Sequence, residues 1–358
     1  MALLAASAPQ LRRLEHWYPY GAPANTAAAF PAVIGQLTRI SSLTMGWGVA
    51  PVTTAQVNLL VPRLPSLQHL CLNGHKSLAD GFPVSITSSC SQLRCLQIHC
   101  ALLKAMPPEL GHLTALTRLE LGGCMTINLP DSISQLSRLA ELDLGWFEAL
   151  RVSLPRGLTA CRHLTRLEMD SDAASPVLAS LQSLRHLRVA FNEKQRETYW
   201  TQLTALTELQ LRCQDESIVP AVLGGMASLC MLRIEDALCD DLPAGLYLSR
   251  LESLVMEDCS FPTGMPLALA AATQLQHIGI CGDEDDGDGA WLDGTTYVPI
   301  DLDAHDIALI SSLPALTTLS LKQPDSIDDC EWGARLAQLR AAFSAQGRVP
   351  PAVARCMC

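Results

Sequence analysis

The chain has 358 residues, 49% of them apolar but only 5% aromatic, enough to bury a large core built mainly from aliphatic side chains. Its formal charge of -11 is uneven, because residues 251–321 hold twelve Asp and Glu and no Lys or Arg while the remainder is near neutral. An acidic block of this kind disfavours nucleic acid and anionic membrane there, since phosphate binding relies on Lys and Arg displacing counterions.

No apolar run of about 18 residues is present to span a membrane. The opening Met-Ala-Leu-Leu-Ala-Ala-Ser-Ala is short for a secretory h-region, and none of Asn25, Asn58, Asn73, Asn128 and Asn192 begins an Asn-x-Ser/Thr site. The fourteen cysteines form no Cys-x-x-Cys pair, so they are expected as reduced thiols of a cytoplasmic protein.

In chain order, residues 1–36 read as a degenerate repeat or N-terminal cap containing Leu11. From there Leu-x-x-Leu-x-Leu recurs, loosely at Ile40 and Leu67 and then regularly. The first positions are Leu93, Leu116, Leu139, Leu164, Leu184, Leu206, Leu229, Leu251 and Leu275, with steps of 20 to 25 residues. A last copy at Leu316 brings the total to about thirteen. The last two apolar positions of each copy are two apart, so both point to one side of a short strand and their neighbours to the other. Upstream lie hydrophobic-Pro pairs at Met106-Pro107, Leu129-Pro130, Leu154-Pro155, Val219-Pro220 and Met265-Pro266. Proline cannot donate to a ladder, so this half of each unit is predicted irregular or short-helical. No single unit buries its own leucines; stacking on the next does so, at roughly 1.5–3 kcal/mol per covered Leu.

The run Leu-Pro-x-x-Ile-x-x-Leu-x-x-Leu-x-x-Leu-x-Leu from Leu129 to Leu144 resembles the leucine-rich-repeat superfamily. It is similar to the 23-residue class of plant disease-resistance and Ras-scaffold proteins. The resemblance covers residues 9–324 and implies an α/β solenoid, a horseshoe with a parallel concave sheet and a short-helical convex side. The family closes its strand motif with Asn or Cys three residues after the last Leu; Cys124, Asn192 and Cys259 comply, while Ala101, Phe147, Asp172, Gln214 and Ala237 depart.

The solenoid is thus expected over 37–324, with an acidic insertion at 281–310. There Asp283, Glu284, Asp285, Asp286 and Asp288 sit in a Gly-rich stretch. A calcium loop needs Gly at its sixth place and Glu at its twelfth; counted from Asp283 these are Asp288 and Gly294, so a solvated loop is expected. Residues 325–358, with Trp332, Leu336 and Leu339 at helical spacing, are predicted as a C-terminal cap with a frayed tail.

Outward-facing strand residues should align in columns. One runs Glu15, Thr44, Cys71, Gln97, Glu120, Asp143, Glu168, Arg188, Gln210, Arg233, Val255, Gly279, Ser320. With the flanking columns it places an acidic patch (Glu120, Glu141, Asp143, Glu168, Asp170) beside a basic one (Arg188, Arg212, Arg233), with Trp146 and Phe191 at the edge. Exposed aromatics and Arg are frequent binding hot spots, so a protein partner on the concave face is the functional expectation; charges that merely solvate the sheet are the alternative. His69, Cys71, Cys95 and His99 form a possible zinc set, although coplanar positions on a sheet suit a tetrahedron poorly.

No Gly-x-Ser-x-Gly, His-Glu-x-x-His or Gly-x-x-x-x-Gly-Lys occurs. A non-enzymatic, monomeric scaffold or interaction module without cofactor is expected, binding another protein and neither nucleic acid nor membrane. The alternatives are a recognition fragment of an immune-type or ubiquitin-ligase receptor, and a structural adaptor of the cytoskeleton or ciliary axoneme.

Overall fold

A computed structural model describes residues 10–17, 36–46, 53–74, 78, 81–100, 103–123, 128–145, 154–172, 175–191, 202–213, 218–281, 300, 302–321 and 327–355. The contacts divide the chain into two units, one of residues 1–171 with 175–184 and the other of 172–174 with 185–358.

The first unit is a ladder of parallel strands in sequence order: β1 (Arg13–Trp17), β2 (Ser42–Gly46), β3 (His69–Asn73), β4 (Cys95–His99), β5 (Arg118–Gly122), β6 (Glu141–Asp143) and β7 (Arg166–Asp172). The second repeats the plan with β8 (His186–Phe191), β9 (Glu208–Cys213), β10 (Met231–Glu235), β11 (Ser253–Glu257), β12 (His277–Cys281), β13 (Thr318–Leu321) and β14 (Ala352–Arg355). This is the predicted leucine-rich-repeat solenoid, a parallel sheet with few helices.

Alternation within the strands builds the core. Leu43, Leu70, Leu96, Leu119, Leu142 and Leu167 form one inward rung of the first unit and are each at most 1% exposed. Leu187, Leu209, Leu232, Leu254, Ile278 and Leu319 form the corresponding rung of the second, each at most 2% exposed. Cys90 and Cys161 stand where other coils have leucine and are equally buried, small hydrophobes in effect.

The hydrophobic-Pro pairs mark the other side of each coil. Pro107, Pro130, Pro155, Pro220 and Pro266 each stand immediately before a five-residue 3-10 turn, where a missing N–H costs nothing and the fixed φ suits the first turn. Among the described residues the α-helices are α1 (Thr54–Leu60), α2 (Ser85–Ser89), α3 (Ala304–Ser312) and α4 (Asp329–Ala345). None is long and apolar enough to cross a membrane among the described residues. In α3 the capping box of Asp303 and Asp306 fixes the start. The buried Asp306 carboxylate also accepts from Met265 N at 2.8 Å, tying the helix to the preceding coil.

The tail departs from expectation. The helix signalled by Trp332, Leu336 and Leu339 forms as α4, but the chain then returns as a fourteenth strand, with Val353 in register with Leu319. Ala-Val-Ala carries no leucine, which hid it from the repeat pattern. The thiol expectation also needs correction: among the described residues ten cysteines are free, but Cys281, closing β12, is disulfide-bonded. Spacing along the sequence cannot reveal a pairing between positions that only the fold brings together. The acidic stretch 283–288 lies outside the described residues.

Candidate functional site

Register places the outward column as the sequence implied. In the first unit Glu15, Thr44, Cys71, Gln97, Glu120, Asp143 and Glu168 are successive partners. In the second, Arg188, Gln210, Arg233, Val255, Gly279 and Ser320 follow one another.

In the first unit three adjacent strands concentrate charge. β5 and β7 each carry Arg-Leu-Glu, so Arg118 and Glu120, like Arg166 and Glu168, sit two residues apart on the same side. Arg118 donates to Glu120 at 2.9 Å and to Glu141 across the strands at 3.0 Å; Arg166 Nε donates to Glu168 at 2.7 Å. Glu120 also accepts from Gln97 Nε2 at 2.6 Å and contacts His99 Nε2 at 2.9 Å. The His99 hydrogen bond above all, with those from Gln97 and Arg118, outweighs burial and holds its carboxyl down to about 2. Gly122 makes this possible: a Cβ there would lie 2.6 Å from His99 Nδ1, so only glycine lets the imidazole cover the strand and reach Glu120.

β6 breaks the pattern. It reads Glu141-Leu142-Asp143, with Glu141 where its neighbours have Arg118 and Arg166. Asp143 therefore lacks an arginine on its own strand. It accepts from Gly145 N at 2.8 Å, at a turn where Gly145 adopts φ +78. Burial first, and then the charges of Glu168 and Glu120, push its carboxyl above the ordinary range. Among the described side chains of these strands four carboxylates (Glu120, Glu141, Asp143, Glu168) stand against two guanidiniums (Arg118, Arg166), and the patch is net acidic.

The second unit differs from expectation. Arg188, Arg212 and Arg233 do not make a basic surface, because acids on the same strand or one or two strands on lie against them. Arg212 Nε donates to Asp236 at 2.8 Å, Arg233 bonds both Glu235 and Glu257, and Arg188 lies 3.9 Å from Glu235. Glu235 also accepts from Gln210 and is only 5% exposed beneath these groups. Phe191 is corrected as well: at 2% exposure it is no edge hot spot. It follows Leu187 and Val189 at two-residue steps, so alternation turns it inward, beside Cys213 in register. Trp146 lies outside the described residues, and so does the side chain of Asp170.

The zinc set is not brought together. His69 faces Cys95, but Cys71 faces Gln97 and His99 faces Asn73. Cys71 Sγ is 3.4 Å from Asn73 Oδ1, and His99 is engaged with Glu120. Burial, and then Glu120, raise the Cys71 thiol to about 11, and burial raises Cys95, which disfavours the thiolates a metal needs. Among the described residues no three His, Cys, Asp or Glu side chains converge to hold a metal.

Of the partners of the acidic patch, Arg118, Arg166 and Gly122 were not among the expected site residues, and His99 was expected only as a metal ligand rather than as a partner of Glu120. The recurring Arg-Leu-Glu was the signal that could have found the two arginines.

A leucine-rich repeat region family matches residues 83–210, a span that contains the acidic patch. No curated protein sequence matches the chain. Among solved structures, an internalin of Listeria monocytogenes is similar at TM-score 0.59 and 17% identity, covering 99% of this chain and 89% of that one. A leucine-rich-repeat protein of Leptospira interrogans aligns at TM-score 0.48 and 15% identity, over 99% and 98% of the two chains. The Drosophila Toll–Spatzle complex aligns at 0.53 and 13% identity, over 88% of this chain and 47% of that one. With a leucine-rich repeat region matched over residues 83–210 and its coils stacked as parallel strands with 3-10 turns between, the chain has the leucine-rich-repeat solenoid fold.

Proposed function

We propose that the protein is a non-enzymatic interaction module whose first-unit strand face binds a protein partner through a basic side chain docked at Asp143. The observation that carries this reading is the place of Asp143: a half-buried carboxylate between Glu120 and Glu168, with Glu141 where the neighbouring strands supply arginine. A partner's Arg or Lys there would complete the alternation of charge and offset the burial and the neighbouring carboxylates that raise the Asp143 carboxyl. Ionic contacts of this kind favour specificity and rate of encounter.

The second-unit face is internally neutralised and supports a smaller electrostatic part. A partner that is protein rather than nucleic acid agrees with the acidic balance of the patch. The cytoplasmic, cytoskeletal or axonemal placement raised by the sequence stays part of the proposal, with the Cys281 disulfide weighing against a reducing compartment; imaging of the tagged protein tests it. The binding test is a crosslinked pull-down from native lysate beside a Glu120→Lys, Asp143→Lys, Glu168→Lys variant. Proteins lost selectively from the variant support the reading; identical captures from both overturn it.

A further inference from the structure

In the first unit the strands from β2 to β7 are each entered by the same tight turn. The amides of Ile40, Leu67, Leu93, Leu116, Leu139 and Leu164 donate to the carbonyl three residues back at 2.8–3.2 Å. Each coil is also pinned to the one before it, because two successive amides share one carbonyl of that coil. Arg94 and Cys95 N do so on Gln68 O, and Thr165 and Arg166 N on Ala140 O, at 2.7–3.0 Å. The turns therefore stack at the strand spacing of about 4.8 Å and form one flank, between the strand face and the 3-10 segments.

This flank is basic along its length. The segments 37–41, 63–68, 90–94, 112–117, 135–140 and 160–165 hold no Asp or Glu, and every one of them presents an exposed Arg or His. The arginines are Arg39, Arg63, Arg94, Arg138 and Arg162; His112 and His163 accompany them. Among the described residues none of the five arginines pairs with a carboxylate, and Arg39 donates to Gln10 Oε1 at 2.8 Å. The repeat does not itself require this composition. In the second unit the corresponding segments 202–207, 225–230, 248–252, 271–276 and 312–317 hold Arg250 and Glu252 as their only charges. The strip is also narrow. Glu120, Glu141, Asp143 and Glu168 of the strand face bound it on one side, and Glu109 and Asp131 of the 3-10 turns on the other.

Charge and width together select the occupant. We infer that this flank is a docking strip for an extended acidic segment of a partner protein, whose carboxylates lie against the guanidiniums from Arg39 to Arg162. Five coil steps span about 24 Å, the length of about seven extended residues. The planar arginine fork takes a carboxylate through two N–H donors. A nucleic-acid duplex would set phosphates against the acids on both sides of the strip. A single strand relies on aromatic platforms, and these segments contain no Phe, Tyr or Trp. The inference goes beyond the concave-face reading and does not rest on it.

The test is fluorescence anisotropy of the full chain with a labelled decapeptide of alternating Asp and Glu, and separately with a ten-nucleotide DNA strand bearing the same label, at about 0.15 M salt. The inference predicts saturable peptide binding below about 1 mM, and weaker binding of the DNA strand. Arg138→Glu with Arg162→Glu, and independently Arg39→Glu with Arg94→Glu, should each weaken the peptide at least tenfold. Arg156→Glu, an exposed control on a 3-10 turn of the same unit, should weaken it less than twofold, with thermal melts verifying that every variant folds. Absence of saturable peptide binding overturns the inference. So does binding that both flank pairs leave unchanged, binding that the control weakens equally, or a DNA strand bound more tightly than the peptide.

Discussion

Replacing Asp143 by Asn separates binding from folding. Asn keeps the carbonyl oxygen that accepts from Gly145 N at 2.8 Å, so the turn loses no hydrogen bond. It removes a charge that burial and two neighbouring carboxylates disfavour. At strand spacing each like-charge pair costs about 1 kcal/mol in a watery environment, and Arg118 offsets part of that. The net gain expected at pH 7 is therefore roughly 1 kcal/mol, or about 2–4 °C for a cooperative unit of 150–250 residues. The sign follows from the raised carboxyl: the penalty is absent below the unfolded value near 3.8 and accrues as pH rises through the folded one. The variant's advantage should be present at neutral pH and vanish toward pH 3. Binding of a basic partner should weaken at least tenfold, a trade of function against stability. Calorimetric melts from pH 3 to 8 read the first effect. A variant less stable than the natural chain at pH 7 would refute the electrostatic account of this site.

Glu120→Gln has the opposite sign. Its carboxyl is held at about 2 against an ordinary 4.5, a ceiling of about 3 kcal/mol at 1.36 per unit that surface screening reduces to roughly 1–2. That contribution is present above pH 4.5 and lost as pH falls toward 2, which denaturant titrations of both proteins at pH 7 and pH 3 will check. Gly122→Ala should push the His99 ring off the strand. The Glu120 carboxyl then titrates higher, visible as a shifted midpoint in a carboxyl NMR titration. Arg348 donates to the carbonyls of Ser311, Leu313 and Pro314 at 2.7, 2.5 and 3.1 Å and stacks 4.7 Å from Phe343. Arg348→Ala should destabilise the last coil by about 2–4 kcal/mol, read as faster amide exchange in α4.

The fold was legible because period and alternation are properties of sequence alone: a step of 20 to 25 residues fixes which side chains share a rung, and the outward column from Glu15 to Ser320 follows from counting. Less visible was what happens between columns. Whether Arg233 is an available cation depends on Glu235 beside it and Glu257 on the next strand, contacts that register must create before charges can cancel. Phe191 was misplaced although the two-residue period, followed from Leu187 through Val189, turns it inward. The strand at Ala352–Arg355 was hidden because alanine and valine carry little of the leucine signal, and its place comes from pairing with β13.

The most direct test of an acidic binding face installs a photo-crosslinking benzoylphenylalanine at Glu141, beside Asp143 on the strand face, and separately at Leu59, exposed on α1. Irradiation in native lysate is followed by mass spectrometry, with and without Asp143→Lys. The account predicts a discrete crosslinked protein from position 141 that Asp143→Lys abolishes and position 59 does not capture. The same adducts from both positions, or adducts at 141 that survive the substitution, would contradict it.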